Sequence, residues 1–312
     1  MKIIQYSTQH KKKWDDFIQS ARNGHFLSYR NYMEYHSERF EDHSLLFFDD
    51  KDQLIALLPA NIKDETLYSH QGLTFGGFIV NPKMKVEAMQ VIFLTLIEYL
   101  NSINVKRLIY KTMPSIYSDA LAQEDLYALF IFGAKLYRRD VSSTIDLQLP
   151  FKYSKGRKWT VNKAKKEDLE LCQMTDFTLF WQLLSNVLDS QHGAKPVHTL
   201  KEIEYLHTHF PRNIKLFVAK KGDQVIAGTV IYETEHVAHT QYLANSDEGR
   251  DLGALDLLID YLIKDVYKNK KYFDFGISTE NEGLDLNKGL ISQKEGFGAK
   301  AIVQDFYEVE IK

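Results

Sequence analysis

Apolar positions recur along this chain with two different periods, and the switches between them mark its elements. Met89, Ile92/Phe93, Leu96/Ile97 and Leu100 return at helical spacing and predict a helix over Val86–Asn101. Shorter helices are predicted over Trp14–Ala21, closed by Asn23-Gly24, and over Ala120–Phe132. Alternating or β-branched runs predict strands over Ser44–Phe48 and Leu54–Asn61, around the turn "DDKDQ", and over Lys106–Tyr110 and Ser143–Leu149. Thr66–Val80 reads as extended but is broken by Gly72, Gly76 and Gly77, which predicts a bulge or a close backbone approach.

The second half repeats this order. Phe177–Ser190 and Leu200–His209 are predicted helices, followed by a meander of Ile214–Ala219, Val225–Glu233 and Val237–Ala244. Gly253–Tyr267 follows as a helix, with Leu255, Leu258/Ile259, Leu262 and Val266 on one face and Asp256, Asp260 and Lys264 on the other. Strand Tyr272–Ile277, helix Leu286–Glu295 and strand Ile302–Glu310 complete the pattern. Each half runs helix, antiparallel strands, central helix, strand, helix, strand. The expectation is an α/β (α+β) chain of two similar domains in tandem, with mixed central sheets flanked by helices. The junction is placed at "FKYSKGRKWTVNKAKK", where Lys152–Lys166 carries seven Lys/Arg and no acid, giving domains 1–151 and 152–312.

Bulk properties agree with this division and narrow it. A length of 312 residues suits two domains at roughly 100–200 residues each. A formal charge of −3 offers no global field for DNA. Cys172 is the single cysteine, which excludes an intramolecular disulfide and a multi-cysteine zinc site. His207 and His209 are two apart on a predicted helix and cannot share a metal, so no metal is expected. "MKIIQYSTQHKKKW" lacks a signal-peptide apolar run, and no window approaches the ~20 apolar residues of a membrane span. A cytoplasmic protein is expected.

Several motifs carry candidate chemistry. Arg250-x-x-Gly253-x-Leu255 stands between a strand and a helix, where unpaired N–H groups suit an anion. It resembles the acyl-CoA pyrophosphate loop of GNAT acyltransferases, although Leu255 replaces a small residue. On that resemblance Arg250, Gly253 and Ala254 would hold the donor. Asp247, Glu248 and Asp251 crowd Arg250, and a plain acidic helix start reads the same residues equally well. "YFDFGIS" (Tyr272–Ser278), then "GLISQKEGFGAK" (Gly289–Lys300), together with the basic junction, resembles the FemAB/FemX family. Gln293 departs from that family's pattern, which has Phe there.

The resemblance implies tandem GNAT-like folds that form peptide bonds, taking an aminoacyl group from tRNA or, in relatives, an acyl group from acyl-CoA. An N-acyltransferase acting on the amine of a cell-envelope, sugar or peptide acceptor is the implied activity. Acyl-CoA, as acetyl-CoA, is the favoured co-substrate, with no tightly bound cofactor. Such chemistry needs a neutral amine, an oxyanion site and a proton for the leaving group. Lys294 matches the family's functional lysine and would stabilise the oxyanion; a solvated lysine at a helix end is the alternative. Asp274 points away from Phe273 and Phe275 and either holds an amine, orients Lys294 or caps a turn. Tyr242 and His239 have an odd separation, so only one should enter the cleft, and Tyr242 lies nearer the turn.

For the acceptor, which is small or nucleotide-linked, the candidates are His192 and Lys195, with His198 beside them, on the loop "QHGAKPVHT". In the FemX type the acceptor cleft is bounded by the N-terminal domain, which adds Arg30, His70 and Gln71. The basic run meets a nucleotide's phosphates or the acceptor end of a tRNA, or is a solvated helix start. A catalytically inactive fold that recognises glycans or proteins remains the competing class.

Overall fold

The computed structural model describes residues 1–312, except the side chains of 191 and 192. The chain divides into two units. The first comprises Met1–Asp140, Asn281–Leu284 and Val303–Lys312; the second comprises Val141–Glu280 and Asp285–Ile302. The division differs from the expected 151/152 boundary because the last strand, from residue 303 onward, pairs with a strand near residue 110 rather than with its sequence neighbours.

The first unit begins with β1 (Lys2–Gln5), α1 (Lys11–Ser20), α2 (Arg30–Glu34), β2 (Glu41–Asp42), β3 (Leu45–Phe48), β4 (Leu54–Leu58), β5 (Asn61–Lys63), β6 (Thr66–Tyr68) and β7 (Ile79–Val80). It continues with α3 (Val86–Ser102), β8 (Arg107–Lys111), α4 (Glu124–Ile131) and the first half of β9 (Lys135–Asp146). The predicted α3 is present because Met89, Ile92, Phe93, Leu96 and Leu100 form one apolar stripe, and all five are buried. They meet Phe47, Phe78, Leu108 and Tyr110 in one core. Strand β1 was not expected; it pairs antiparallel with β3.

The glycine-broken stretch between β6 and β7 has a physical explanation. A Cβ at Gly76 would stand 1.8 Å from the Ser69 carbonyl oxygen, and at Gly77 (φ +88) 2.8 Å from the Tyr110 hydroxyl. The close approach is therefore the protein's own backbone and a core tyrosine. Tyr110 accepts from the Phe78 N–H at 2.7 Å and donates to Asp125 at 2.6 Å, which closes the stretch over the core.

The second unit contains the rest of β9, then α5 (Lys155–Ala164), β10 (Glu170–Met174), α6 (Thr178–His192), α7 (Leu200–His209), β11 (Ile214–Lys221), β12 (Gln224–Glu233) and β13 (Val237–Asn245). There follow α8 (Asp247–Leu252), α9 (Ala254–Tyr261), β14 (Tyr272–Ile277), β15 (Thr279–Glu280), β16 (Asp285–Leu286), α10 (Lys288–Gly296) and β17 (Lys300–Glu310), most of which returns to the first unit. Strands β10 to β13 form the expected antiparallel meander, with the unexpected β10 at its edge. Beyond β13 lies β14, parallel to it, and then β9, antiparallel to β14.

The expected single helix Gly253–Tyr267 is two pieces, α9 and a π-helical turn over Leu262–Val266, and a separate α8 precedes it. The acids of its charged face are not solvated, although Lys264 is exposed. Asp256 and Asp260 are 8% and 3% exposed because α5 covers them. Arg157 pairs with Asp256, Lys165 reaches Asp260 at 3.0 Å, and Lys264 also pairs with Asp260. Part of the basic run is therefore consumed inside the unit, while Lys152, Lys155, Lys158 and Trp159 stay exposed. Helix α9 is buried on both sides, with the sheet core of Leu255, Leu258 and Ile259 on one side and α5 on the other.

Gly253 (φ +75) makes that packing close: a Cβ there would lie 2.7 Å from the Thr160 methyl and 3.2 Å from its carbonyl oxygen. A Gly253→Ala change meets both a left-handed backbone and a collision, and should lower the unfolding free energy by about 2 kcal/mol in chemical denaturation. An unchanged denaturation midpoint would show that α5 does not press on this residue.

Candidate functional site

The site is built where two neighbouring strands part. Strands β13 and β14 pair in parallel only at Val237↔Tyr272, Ala238↔Phe273 and His239↔Asp274, although β13 runs on to Asn245 and β14 to Ile277. Two irregularities accompany the parting. Gln241 is an extra residue in β13, since Ile231 faces Thr240 while Val230 faces Tyr242. Gly276 has φ +73, and a Cβ on it would touch the His239 ring at 3.1 Å. The gap is narrow and lined by Leu243, Leu255, Phe275, Leu290, Gln293 and Lys294. About 10 Å³ of it is open, room for about one water molecule.

Lys294 lies in the last turn of α10 and is 3% exposed. The solvated alternative is therefore excluded. Its ammonium donates to the Gly276 carbonyl at 2.8 Å and the Ile277 carbonyl at 2.6 Å, two groups of the strand that has lost its neighbour. Burial lowers its pKa to about 8, against the smaller raising effect of nearby Asp274.

Asp274 occupies the face opposite Phe273 and Phe275, as alternation requires. Oδ1 accepts from Ser142 at 2.8 Å and Thr144 at 2.6 Å, and Oδ2 accepts from His239 Nδ1 at 2.7 Å. Thr144 and His239 are its register partners on either side, so one sheet face carries a row running β9, β14, β13. A carboxylate that receives Nδ1–H fixes the imidazole tautomer and leaves Nε2 as the basic atom of the neutral ring.

The inserted Gln241 corrects the expectation that His239 and Tyr242 face opposite sides. Their partners Tyr232 and Val230 are two apart, so the register returns both to one face. Tyr242 is nevertheless engaged elsewhere: its hydroxyl lies 2.5 Å from His198 Nδ1, accepts from the His198 N–H at 3.3 Å, and its ring meets Trp181 edge-on at 5.2 Å. Burial pushes its pKa up to about 12. His198 thus belongs with Tyr242, and the adjoining Thr199 forms a capping box with Glu202. Lys195 is exposed on the same loop, and the side chain of His192 lies outside the described residues.

The expected anion cradle is not open. Arg250 pairs with Asp247 and donates to the Asn245 carbonyl at 2.9 Å. Thr160 occupies the space in front of Gly253, and Ala254 has no exposed surface. The residues before α9 are themselves helical, because Ser246 caps α8 by accepting from the Gly249 N–H at 2.9 Å.

In the first unit, Arg30 is a structural cation. It is 2% exposed, stacks on Tyr6 at 3.6 Å, and binds Asp42, Glu34 and Ser44, so it is not placed to meet a ligand. His70 and Gln71 are brought together along a separate cavity, with Gln71 tied to Asn61 through two hydrogen bonds of 2.8 and 2.9 Å. Among the described residues, no helix is long and apolar enough to cross a membrane, and no group of His, Cys, Asp or Glu is placed to hold a metal ion.

Residues 156–282 match a family model described as "Acetyltransferase (GNAT) domain". This segment is a GNAT domain. It runs from α5 to just past β15 and contains the parted strands, His239 and Asp274, while Lys294 lies beyond its end. Acyl transfer is the chemistry of this domain class.

The whole chain has a tandem GNAT fold. The crystal structure of FemX is similar over 99% of this chain and 97% of its own, at 11% identity and a TM-score of 0.68. L-PGS from Bacillus licheniformis is similar over 96% of this chain and 91% of its own, at 16% identity and a TM-score of 0.60. A tandem GNAT protein from the clavulanic acid biosynthesis pathway, solved without AcCoA, is similar over 100% of this chain and 98% of its own, at 11% identity and a TM-score of 0.53. No curated protein matches by sequence.

The GNAT segment's buried row makes a spectroscopic prediction. In the wild type, His239 Nδ1–H should give a downfield, slowly exchanging proton resonance. Asp274→Asn should remove it and cost about 2 kcal/mol, because a buried amide then faces groups arranged for a carboxylate. Persistence of the resonance would mean that Asp274 does not hold that proton.

Proposed function

We propose that this protein is an N-acyltransferase that moves an acyl or aminoacyl group onto the amine of a small cell-envelope, sugar or peptide acceptor, with the chemistry at the parted strands of the GNAT domain. The observation that carries this reading is Lys294: a buried, ordered cation at the point where two strands diverge, held by two carbonyl oxygens. A fixed charge in a site of low water content stabilises an oxyanion far better than a solvated one does.

In this reading the acceptor amine attacks the carbonyl carbon of an ester or thioester. Negative charge develops on the carbonyl oxygen and is met by the Lys294 ammonium. The amine gives up its proton to His239 Nε2, whose opposite nitrogen is held by Asp274. Collapse of the tetrahedral intermediate breaks the bond to the donor oxygen or sulfur, which takes the proton as it leaves.

The filled cradle bears on the donor. Thr160 stands against Gly253 and Arg250 is paired to Asp247, which supports the reading that this turn does not take an acyl-CoA pyrophosphate. This favours an aminoacyl ester as donor over the acyl-CoA that the motif suggests. Similarity to FemX and to L-PGS in fold is consistent with that choice. The exposed Lys152, Lys155, Lys158 and Trp159 are then available to the phosphates near the acceptor end of a tRNA.

Two donor assays decide between these readings: acetyl-CoA, and charged tRNA, each with a diamine acceptor. Transfer from tRNA alone is expected. With the productive donor, Lys294→Met should lower kcat/KM by about 10²–10³, the loss of one oxyanion donor.

The pH dependence follows from the direction of the Lys294 shift. A cation with its pKa lowered to about 8 loses its charge as pH rises through that value, so kcat/KM should fall on the alkaline side near pH 8. Lys294→Arg stays charged and should move that fall to higher pH. Full activity in Lys294→Met would remove the residue from the mechanism.

A further inference from the structure

The first unit contains a cavity of about 470 Å³, a volume in the range of small-molecule sites. Its lining comes from strands β6, β8, β9 and β17, the residues that follow β6, and Glu282. Strand alternation turns Leu108 and Tyr110 into the core and Arg107, Ile109 and Lys111 to the opposite side. Register then sets Phe306 beside Lys111, and Glu308 and Tyr68 on either side of Ile109.

The charges within the cavity are arranged unevenly. Lys111 forms part of its wall, and the Lys111 ammonium donates to the Leu73 carbonyl at 2.5 Å and the His70 carbonyl at 3.4 Å. Among the described residues, no carboxylate lies within ion-pair distance of it; the nearby Asp140 is held by Arg138 at 2.8 Å. Burial, with the repulsion of Arg138, lowers the Lys111 pKa to about 8, against the smaller raising effect of Asp140. Arg138 lies over the Phe306 ring at 4.4 Å, with Nε and Nη2 on Asp140 at 3.0 and 2.8 Å. The acids are elsewhere on the lining: Glu282 on an exposed turn, and Glu308, which meets Arg107 only at 3.7 Å. Two lining residues, His70 (φ +61) and Glu282 (φ +55), hold left-handed backbone conformations, a cost that accumulates at binding sites.

We infer that this cavity binds an amino acid or short peptide, with its carboxylate on Lys111 and Arg138, its body against Phe306, and its ammonium at Glu282 and Glu308. A half-buried ammonium with no carboxylate within ion-pair distance attracts one, and the separate acids select a ligand that carries both charges. The inference goes beyond the transferase reading and does not rest on it, since binding needs no donor.

Isothermal titration of the full-length protein, without any acyl donor, tests it with four probes: alanyl-phenylalanine, its C-terminal amide, its N-acetyl form, and inorganic phosphate. The free dipeptide should bind, and the amide and N-acetyl forms should each bind at least about tenfold more weakly, the loss of one charge-assisted contact. Lys111→Met should abolish the preference for acid over amide. Arg138→Gln should weaken dipeptide binding about tenfold. Glu282→Gln, on an exposed turn where folding is not at stake, should erase the preference for the free amine. Absence of dipeptide binding in the wild type, equal binding of dipeptide and amide, or phosphate binding as tight as the dipeptide's would each overturn the inference.

Discussion

The functional half of this protein depends on where one ladder of hydrogen bonds stops. Parallel pairing between β13 and β14 ends at His239 and Asp274, and backbone groups beyond that point need other partners. The Gly276 and Ile277 carbonyls find theirs in the Lys294 ammonium. One event therefore opens a gap and places a cation at its edge. A lysine would not otherwise stay buried, because removal of a charge from water is costly unless its donors are satisfied. Here the strand that diverges supplies the acceptors that make the burial tolerable.

A second constraint acts on the opposite side of α9. Its acids Asp256 and Asp260 would face water in an isolated amphipathic helix. Helix α5 instead brings Arg157 and Lys165 to them, and Gly253 allows the two helices to approach closely. The same contact brings Thr160 up against Gly253. The basic run is divided by this arrangement into residues that hold the helix down and residues that remain at the surface.

Much of this was legible in the sequence where the information is local. The meander, the long α3 stripe and the turning of Asp274 away from Phe273 and Phe275 follow from periods of 3.6 and 2, which neighbouring residues report directly. Lys294 was found through a motif rather than a pattern. What alternation could not supply was partners. Asp274 is held by Ser142 and Thr144, 132 and 130 positions earlier, and nothing near "FDFG" announces them. His239 was set aside because residue counting assumed an unbroken strand, and a bulge becomes visible only against the strand it pairs with. The glycines of "SHQGLTFGG" carry a genuine signal of close approach, and the approaching groups are the protein's own. Arg30 and His70 enter through the FemX resemblance; Arg30 is held by Asp42, while His70 lines a cavity.

The extra residue at Gln241 makes strand length, rather than strand composition, the critical quantity. Side chains along β13 can be exchanged one at a time with local effects. Removal of Gln241 would heal the bulge and leave Tyr242 facing Val230, so the side chains after it would keep their faces while the strand lost the irregularity that accompanies its parting from β14. One residue of extra length thus changes the path of the strand without turning over what it presents.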